Sequence, residues 1–326
     1  MRRLPALALP LVLTSVVACG GDAMPGADDV QVGDAPQSCD DGTELVVTDA
    51  GAPPRQIMAA SPAVGASEAF DLRVEMGIDA TIDGQSMPGP VLTMSIGLVT
   101  TVEHVDDEEI GMTYVFDHAY ADDADMDETL QRLTGVSGMV RTTRTGQFIR
   151  SELDLAGIDP TLGESTGASL DDQLRDMMAP FPPTPVGVGS AWVIPELAED
   201  EDIASCNIHT YRLESFDGEA YELAIESTFL IQPSTFDDAG MTFKVVDGLG
   251  SSTVMLTGSL DSPAYGHGTA VGETRMEMEV ERYGTVHEQV LDTHIEMELT
   301  PRADGDATRP HDATPPPGPP VDPLVW

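Results

Sequence analysis

Basic residues are scarce in this chain of 326 residues, which has 15 Lys and Arg against 57 Asp and Glu and a formal net charge of −42. Nucleic-acid binding needs clustered positive charge to neutralise phosphates, so we expect no nucleic-acid partner. Anionic lipid headgroups would also repel so negatively charged a protein, so we expect that charge does not hold it at a membrane. The acidity is typical of a highly solvated surface, with divalent-cation binding as the alternative.

Long apolar runs are also missing: no segment reaches eighteen consecutive apolar residues, and no membrane-spanning helix is predicted. The longest apolar stretch runs from Leu4 to Ala18 and follows Arg2 and Arg3. As a helix it would reach about 22 Å at roughly 1.5 Å per residue, against a hydrocarbon core of roughly 30 Å. A positive start followed by a short apolar stretch is typical of an export signal peptide.

The signal peptide ends in Val16-Val17-Ala18-Cys19, which resembles the bacterial lipobox. The resemblance implies cleavage before Cys19, a covalent lipid on its thiol as the only cofactor, and a membrane partner reached through that lipid anchor. Two or three acyl chains anchor a protein stably, whereas one does so marginally. Gly20, not Asp, follows the cysteine, which favours the outer membrane, on its periplasmic or surface face. The alternative is an ordinary secretory peptide with an accidental cysteine.

Cysteine is rare as well, with three in the chain. If Cys19 carries lipid, Cys39 and Cys206 remain as an even pair in an oxidising compartment, where a disulfide is the natural expectation. Closing so long a loop would contribute about 4 to 5 kcal/mol on a chain-entropy estimate, before strain is subtracted. The alternative is two separate free thiols.

Composition divides the chain into four parts. Residues 1–18 are the signal peptide, and residues 19–38, which contain few apolar residues, are predicted to form a flexible tether. Residues 302–326 are predicted to form a disordered tail because prolines recur in them. Residues 39–301 are left as one β-rich domain, within the size range of all-β units.

Alternating apolar and polar residues predict long antiparallel strands with one wet face. The alternation is clearest in residues 71–83, 92–98, 110–116, 221–231, 276–280 and 295–299. An acidic turn, Asp106 to Glu109, predicts a hairpin between the second and third of these. Each half of the domain has a Gly-rich turn before its last hairpin, Gly135–Gly138 and Gly248–Ser252, so two weakly similar halves and an ordinary meander both remain open.

Two short amphipathic helices are predicted between the strands. The first runs from Asp125 to Thr134, where Gly135 can end it. The second is capped by Ser169 and ends at Met178, before the Pro-rich residues 180–185. The predicted fold is therefore mainly β, with long antiparallel strands in a curved sheet or half-barrel and two helices as cover.

A proline- and glycine-rich motif, Pro182-Pro183-Thr184-Pro185-Val186-Gly187-Val188-Gly189-Ser190-Ala191-Trp192, follows the second helix. It resembles the signature of an uncharacterised family of bacterial lipoproteins whose members also end in Met/Glu-alternating strands, matched here by residues 274–281 and 294–299. The resemblance covers roughly residues 65–300 and implies a shared fold and an envelope address, but no activity or catalytic residues. Gly187 and Gly189 permit a tight turn, and we expect Trp192 to plug the core.

No catalytic motif is found, so no enzymatic activity is predicted. Gly135-Val136-Ser137-Gly138 and Gly250-Ser251-Ser252 lack the G-x-S-x-G frame, which favours turn serines. His287-Glu288 begins like a zinc motif, but His294 is seven residues on and would face the other side of a strand. Gly266-His267-Gly268 is interpreted as a hairpin turn. The other histidines show no ligand spacing: His104, His118, His209, His267 and His311.

Acidic residues near the first helix are the one metal candidate in the sequence. Asp123, Asp125 and Asp127 match the opening of a calcium loop, but Glu128 and Thr134 stand where Gly and Glu are required, so an EF-hand is excluded. A weak calcium site formed by Asp122, Asp123 and Asp125 is left as a hypothesis. The alternative is that these acids favour the helix N-terminus.

Three functions are compatible with these patterns. The first is a membrane-anchored, non-enzymatic envelope lipoprotein whose curved sheet binds an apolar or acyl ligand, a role that flexible methionines on strand faces would suit, although core filling explains them as well. The second is a structural or protein-interaction module of the cell surface without a small ligand and with an envelope protein as partner. A hydrolase ranks last because no triad, metal set or paired-acid motif is found.

Overall fold

The computed structural model describes residues 32–33, 35–36, 38–39, 44–154, 180–199, 203–238, 240–262 and 265–302. The predicted signal peptide with Cys19, the tail beyond Arg302 and the second predicted helix, Ser169 to Met178, lie outside these residues. Within them, no helix has the length and apolar character that crossing a membrane requires.

The described residues form thirteen strands in one sheet, all paired antiparallel, and one helix. In chain order the elements are β1 (Val46–Asp49), β2 (Ser67–Ile82), β3 (Gln85–Val105), β4 (Glu109–Ala121), α1 (Ala124–Gln131), β5 (Ser137–Thr143), β6 (Phe148–Asp154), β7 (Ala191–Glu199), β8 (Ala204–Phe216), β9 (Ala220–Ile231), β10 (Ser234–Asp238), β11 (Met241–Ser259), β12 (Tyr265–Arg282) and β13 (Thr285–Pro301).

Two meanders make up the sheet. Strands β2 to β6 follow one another as neighbours, and β7, β8, β9, β11, β12 and β13 do the same, with β10 paired to β11. Strands β13 and β2 join the two meanders over thirteen consecutive residue pairs, from Gln289 opposite Ile82 to Pro301 opposite Phe70. Strand β1 adds to β7, so β1 and β6 are the two edges of the sheet over the described residues.

The sheet is curved, and its core lies on the concave side. Phe70 of β2 and Trp192 of β7 belong to one buried cluster, although five strands separate β2 from β7 in the sheet. At about 4.8 Å per strand, a flat sheet would hold these strands about 29 Å apart, which is too far for one compact core. The prediction of a mainly β fold with long antiparallel strands in a curved sheet or half-barrel is therefore confirmed.

An ion-pair cluster on the convex side fastens the seam between the meanders. Arg302, directly after β13, places its Nε 3.2 Å from Asp71 Oδ1 on β2 and its Nη1 2.6 Å from Asp117 Oδ2 on β4. His118 lies between the same two carboxylates, at 3.4 Å from Asp71 and 3.2 Å from Asp117. The Arg302 side chain is only 14% exposed, so water and salt screen these pairs less than they screen surface pairs.

Two irregular segments, residues 50–66 and 180–190, cross one end of the curved sheet. Backbone hydrogen bonds tie them to each other and to the turns at that end: Val186 N–H to Gln56 O, Ala60 N–H to Arg144 O, Ser61 N–H to Leu260 O and Phe181 N–H to Thr145 O. The segments approach so closely that a Cβ on Gly187 would lie 1.9 Å from the carbonyl oxygen of Ala52. Gly187 of the sequence motif is therefore required by this crossing, whereas Gly189 adopts a φ of +83°, which favours glycine.

Trp192, the last residue of the motif, closes the core beneath this crossing. Its side chain has no exposed surface, and its indole Nε1 donates to the carbonyl oxygen of Pro180 at 2.9 Å. Its ring stacks on Tyr211 at 5.5 Å between centroids and also contacts Phe181. The expectation that Trp192 plugs the core is confirmed.

At four glycines, the ring of the residue directly across the ladder lies where a side chain would project. The pairs are Gly97 with His118, Gly138 with Tyr114, Gly250 with Phe229 and Gly258 with Tyr221. A Cβ on Gly258 would lie 2.4 Å from the Tyr221 ring, closer than any real Cβ contact. Each ring therefore occupies space that the missing side chain leaves, a known way to stabilise glycine inside a sheet that bends.

The prediction of turns at two glycine-rich segments is wrong. Gly248–Ser252 lies inside β11 and Gly266–Gly268 lies inside β12. At these positions glycine lets neighbouring strands pack instead of reversing the chain, since a Cβ on Gly248 would meet Ile231 at 2.7 Å and one on Gly268 would meet Leu256 at 2.5 Å. The described residues contain one helix instead of two, α1, close to the first one predicted.

Replacing Gly258 by Ala should lower the free energy of unfolding by about 1–3 kcal/mol, because the buried Tyr221 ring has to move. Urea unfolding would measure this change. Gly77→Ala is the matched control, since its Cβ would find Val91 at an ordinary 3.8 Å. Equal stability of the Gly258→Ala and wild-type proteins would contradict the account of the glycine–ring pairs.

Candidate ligand-binding site

Cross-strand register arranges the concave-side residues of β7, β8, β9, β11, β12, β13 and β2 in rows. Nearest the crossed end, the rows are apolar: Leu213, Leu223, Leu256, Gly268, Leu299 and Leu72, then Trp192, Tyr211, Ile225, Val254, Ala270, Met297 and Val74. The next two rows, which we call the polar band, are Ile194, His209, Ser227, Ser252, Gly272, Ile295 and Met76, followed by Glu196, Asn207, Phe229, Gly250, Thr274, Thr293 and Ile78. Beyond the band, Ile231, Gly248, Met276, Leu291 and Ala80 form an apolar row again.

Glu196, His209 and Ser227 form a buried polar cluster at the β7–β9 end of the band. Their exposed fractions are 3%, 6% and 5%. His209 Nδ1 and Ser227 Oγ are hydrogen-bonded at 2.8 Å, and His209 Nε2 lies 3.7 Å from Glu196 Oε2. Neither Glu196 Oε2 nor His209 Nε2 has a hydrogen-bond partner among the described residues. Burying such an atom without a partner costs about 1–3 kcal/mol, so stability does not explain this cluster.

The polar cluster is hidden from pattern analysis because β8 carries its polar residues on the buried face. Ser205, Asn207 and His209 are buried on the concave side, whereas Ile208 on the convex side is only half-buried. Alternation alone would turn Ile208 inward and His209 outward. Glu196, His209 and Ser227 also come from three strands with no fixed spacing, so no sequence motif identifies them.

Cys39 and Cys206, the predicted disulfide partners, are joined in the structure with their Cα atoms 5.7 Å apart. Cys206 lies on β8 between Ser205 and Asn207, on the convex side of the polar cluster. The sulfur of Cys39 lies 3.0 Å from the carbonyl oxygen of Glu196. The disulfide therefore holds the segment before β1 against the backbone that carries the polar cluster.

Serine, histidine and glutamate together suggest nucleophilic catalysis, but the local geometry does not support it. Ser227 lies inside β9 and pairs with His209 of β8 on one side and Ser252 of β11 on the other. The backbone N–H groups around it are therefore committed to the ladder and cannot form an oxyanion hole. The arrangement fits hydrogen bonding better than acyl transfer.

A group of concave-side residues on β11, β12 and β13 is only half-buried, although Leu256, Ala270 and Leu299 on the same strands are buried. We call the half-buried group the floor: Ser252, Val254, Gly272, Thr274, Ile295 and Met297. Half-buried Leu72, Leu92, Met94 and Ile96 continue the floor onto β2 and β3. Ser252 joins the two features, because it is the ladder partner of Ser227 in the polar cluster.

The acids proposed for calcium lie at the junction of β4 and α1. Asp122 Oδ1 accepts the N–H of Thr93 at 2.9 Å, and Asp123 Oδ1 accepts the N–H of Met126 at 3.0 Å. These bonds are those of acids that order a turn and cap a helix. The side chain of Asp125 and Cys19 lie outside what the structure describes.

A group of potential metal ligands does occur at the β3–β4 turn, where His104, Asp106 and Glu109 come together. Backbone N–H groups of Glu109 and Glu108 and the His104 side chain lower the pKa of Asp106 to about 2. Glu109 already pairs with Arg141 at 2.6 Å, and the group is open to solvent. These contacts account for the group without an ion.

His287 and His294 point to opposite faces of β13, as the odd spacing predicts.

Comparison with known proteins does not assign a family. No family model matches the chain, and no curated protein matches it. Among solved structures, the outer membrane protein OpdK from Pseudomonas aeruginosa is similar at 5% identity and a TM-score of 0.18, covering 73% of this chain and 99% of its own. A putative AttH protein from Nitrosomonas europaea is similar at 9% identity and a TM-score of 0.13, covering 72% and 92%. Likeness at this level carries no argument about function.

Ser227→Ala should lower the free energy of unfolding by about 1–3 kcal/mol, since His209 Nδ1 would lose its partner inside the core. Ser251→Ala, at an exposed position on the convex side of β11, should change it by less than about 0.5 kcal/mol. Chemical denaturation of both variants checks the difference. Equal effects would mean that the buried hydrogen bond is not formed.

Proposed function

We propose that this protein is a lipid-anchored bacterial envelope lipoprotein that binds an apolar or acyl ligand on the concave face of its sheet. The floor is the observation that carries the proposal, because half-buried apolar side chains line a concave surface between two buried clusters. Ligand sites are concave and mainly apolar, with a few placed polar groups. The polar cluster at the end of the floor supplies such groups.

The envelope address in this proposal is supported by the sequence. Arg2 and Arg3, the apolar stretch to Ala18 and the cysteine that follows it form a lipoprotein signal. The disulfide between Cys39 and Cys206 is consistent with an oxidising compartment. Catalysis forms no part of the proposal, because the serine–histidine–glutamate cluster found among the described residues lacks oxyanion donors.

A protein-interaction role is the second candidate, and a row on the convex side favours it. Leu197, Leu230 and Leu249 are 43%, 38% and 56% exposed and follow one another across β7, β9 and β11, with Cys206 of β8 between the first two. Apolar residues exposed side by side mark surfaces that other proteins contact. This role and ligand binding use opposite faces of the sheet and are compatible.

Filling the floor should abolish ligand binding. Val254→Trp places an indole on the floor, whereas Thr253→Trp, its neighbour, places the same group on the exposed convex side. We expect the first variant to lose at least tenfold in affinity for a neutral apolar fluorescent probe and the second to bind as wild type does. Probe titration of folded protein, checked by circular dichroism, measures this. Unchanged binding by Val254→Trp, or no binding by wild type, would overturn the ligand proposal.

Cys19→Ser should move the protein from the membrane fraction to the soluble fraction of a bacterial host, because the acidic surface supplies no affinity for anionic lipid. Fractionation and immunoblotting measure the distribution. Cys39→Ser is the control, since it removes a sulfur without touching the lipidation position. An unchanged membrane fraction for Cys19→Ser would contradict the anchor.

A further inference from the structure

We infer that the polar cluster binds the head of the ligand, and that this head donates hydrogen bonds and carries no negative charge, as in a long-chain alcohol. The inference rests on the proposed function, because it assigns the polar end of the same site. It goes further in naming Glu196 and His209 as the residues that select the head group.

The position of the polar cluster is the first argument. Glu196, His209 and Ser227 lie in the two rows that also contain the floor residues Ser252 and Thr274. Three strand spacings of about 4.8 Å separate β8 from β12, so the cluster ends a surface about 14 Å wide. A ligand whose chain lies across the floor would bring its head to the cluster.

The chemistry of the buried Glu196 and His209 atoms indicates which head group they would bind. Glu196 Oε2 is a buried acceptor without a hydrogen-bond partner among the described residues, and His209 Nε2 is a second buried atom in the same condition. A hydroxyl can donate to the carboxylate and accept from or donate to the imidazole. A carboxylate or ester head cannot donate to Glu196 at all. These two atoms therefore favour a head group with an O–H or N–H that can donate a hydrogen bond to Glu196.

The charged residues of the concave face also restrict the charge of the head group. The rows that cross the concave face contain no Lys or Arg at any of the positions given above, and His209 is their one basic residue. His209 already faces Glu196 at 3.7 Å. An anionic head would be buried beside a carboxylate without a free cation to compensate it, which is strongly unfavourable. Fatty acids and phospholipid phosphates are therefore disfavoured as ligands.

A metal ion is the other occupant that a carboxylate and an imidazole suggest. The cluster supplies one of each, whereas zinc sites in proteins use three or four protein ligands. Zinc is therefore an alternative outcome of the test below.

The test is competition against the bound neutral fluorescent probe by ligands with the same twelve-carbon chain: dodecanol, dodecyl methyl ether and dodecanoate. The protein is the mature Cys19→Ser chain, which needs no detergent. We expect dodecanol to compete at least tenfold better than dodecanoate and several-fold better than the ether. The preference over dodecanoate should persist in about 0.5 M salt, which screens the acidic surface but not a buried group.

Glu196→Gln should narrow the preference for dodecanol over dodecanoate at least fivefold. Glu226→Gln removes the same charge from an exposed position on β9 and should leave the preference unchanged. Equal competition by the three ligands in the wild-type protein would overturn the inference, as would a preference that disappears in salt. Tight zinc binding that Glu196→Gln removes would also overturn it. Failure of the probe itself to bind would instead count against the proposed function.

Discussion

The pairing of β13 with β2 is the interaction on which the rest of this structure depends. It joins residues more than 200 positions apart in the sequence, from Gln289 with Ile82 to Pro301 with Phe70. Such a contact forms only after a large loss of chain entropy, so it needs support beyond the ladder itself. Leu299 and Phe70 provide that support inside the concave core, and Arg302 provides it outside through Asp71 and Asp117. Without the seam, each meander would expose one long edge.

Curvature follows from the seam together with the glycine–ring pairs. A sheet of this width has to bend to bury its apolar face, and glycine opposite a ring allows the backbones to bend without opening a void. The bend places Trp192 and Phe70 in one core at the crossed end. At the other end a second cluster forms around Met276, Met278 and Val245. The polar band lies between these clusters, so its polar residues on β7, β8 and β9 are shielded from water, whereas its floor residues are only half-buried.

The sequence predicted the parts of the fold in which alternation is regular. Over most of strands β2, β4, β9 and β13 the less exposed residues recur at every second position, and their apolar faces agree with the concave side. Strand β11 was missed because its glycines resemble a turn in sequence, while in three dimensions they make room for neighbours such as Phe229. Strand β8 inverts the pattern by burying Asn207 and His209. The site could not be predicted for the same reason: its residues are recognisable only once three strands are placed side by side.

The polar cluster lies on strands that are held rigidly in place. Strand β8, the third strand from the β1 edge, carries His209, is paired on both sides, and is fixed by the disulfide from Cys206 to Cys39. Groups on rigid strands keep their geometry when buried, whereas the same groups on a loop would turn to water. The disulfide joins β8 to the segment before β1, and that segment also contacts β1, where the Gly33 N–H donates to the Val47 carbonyl oxygen at 2.8 Å, so the strand that carries His209 is braced from the β1 edge of the sheet.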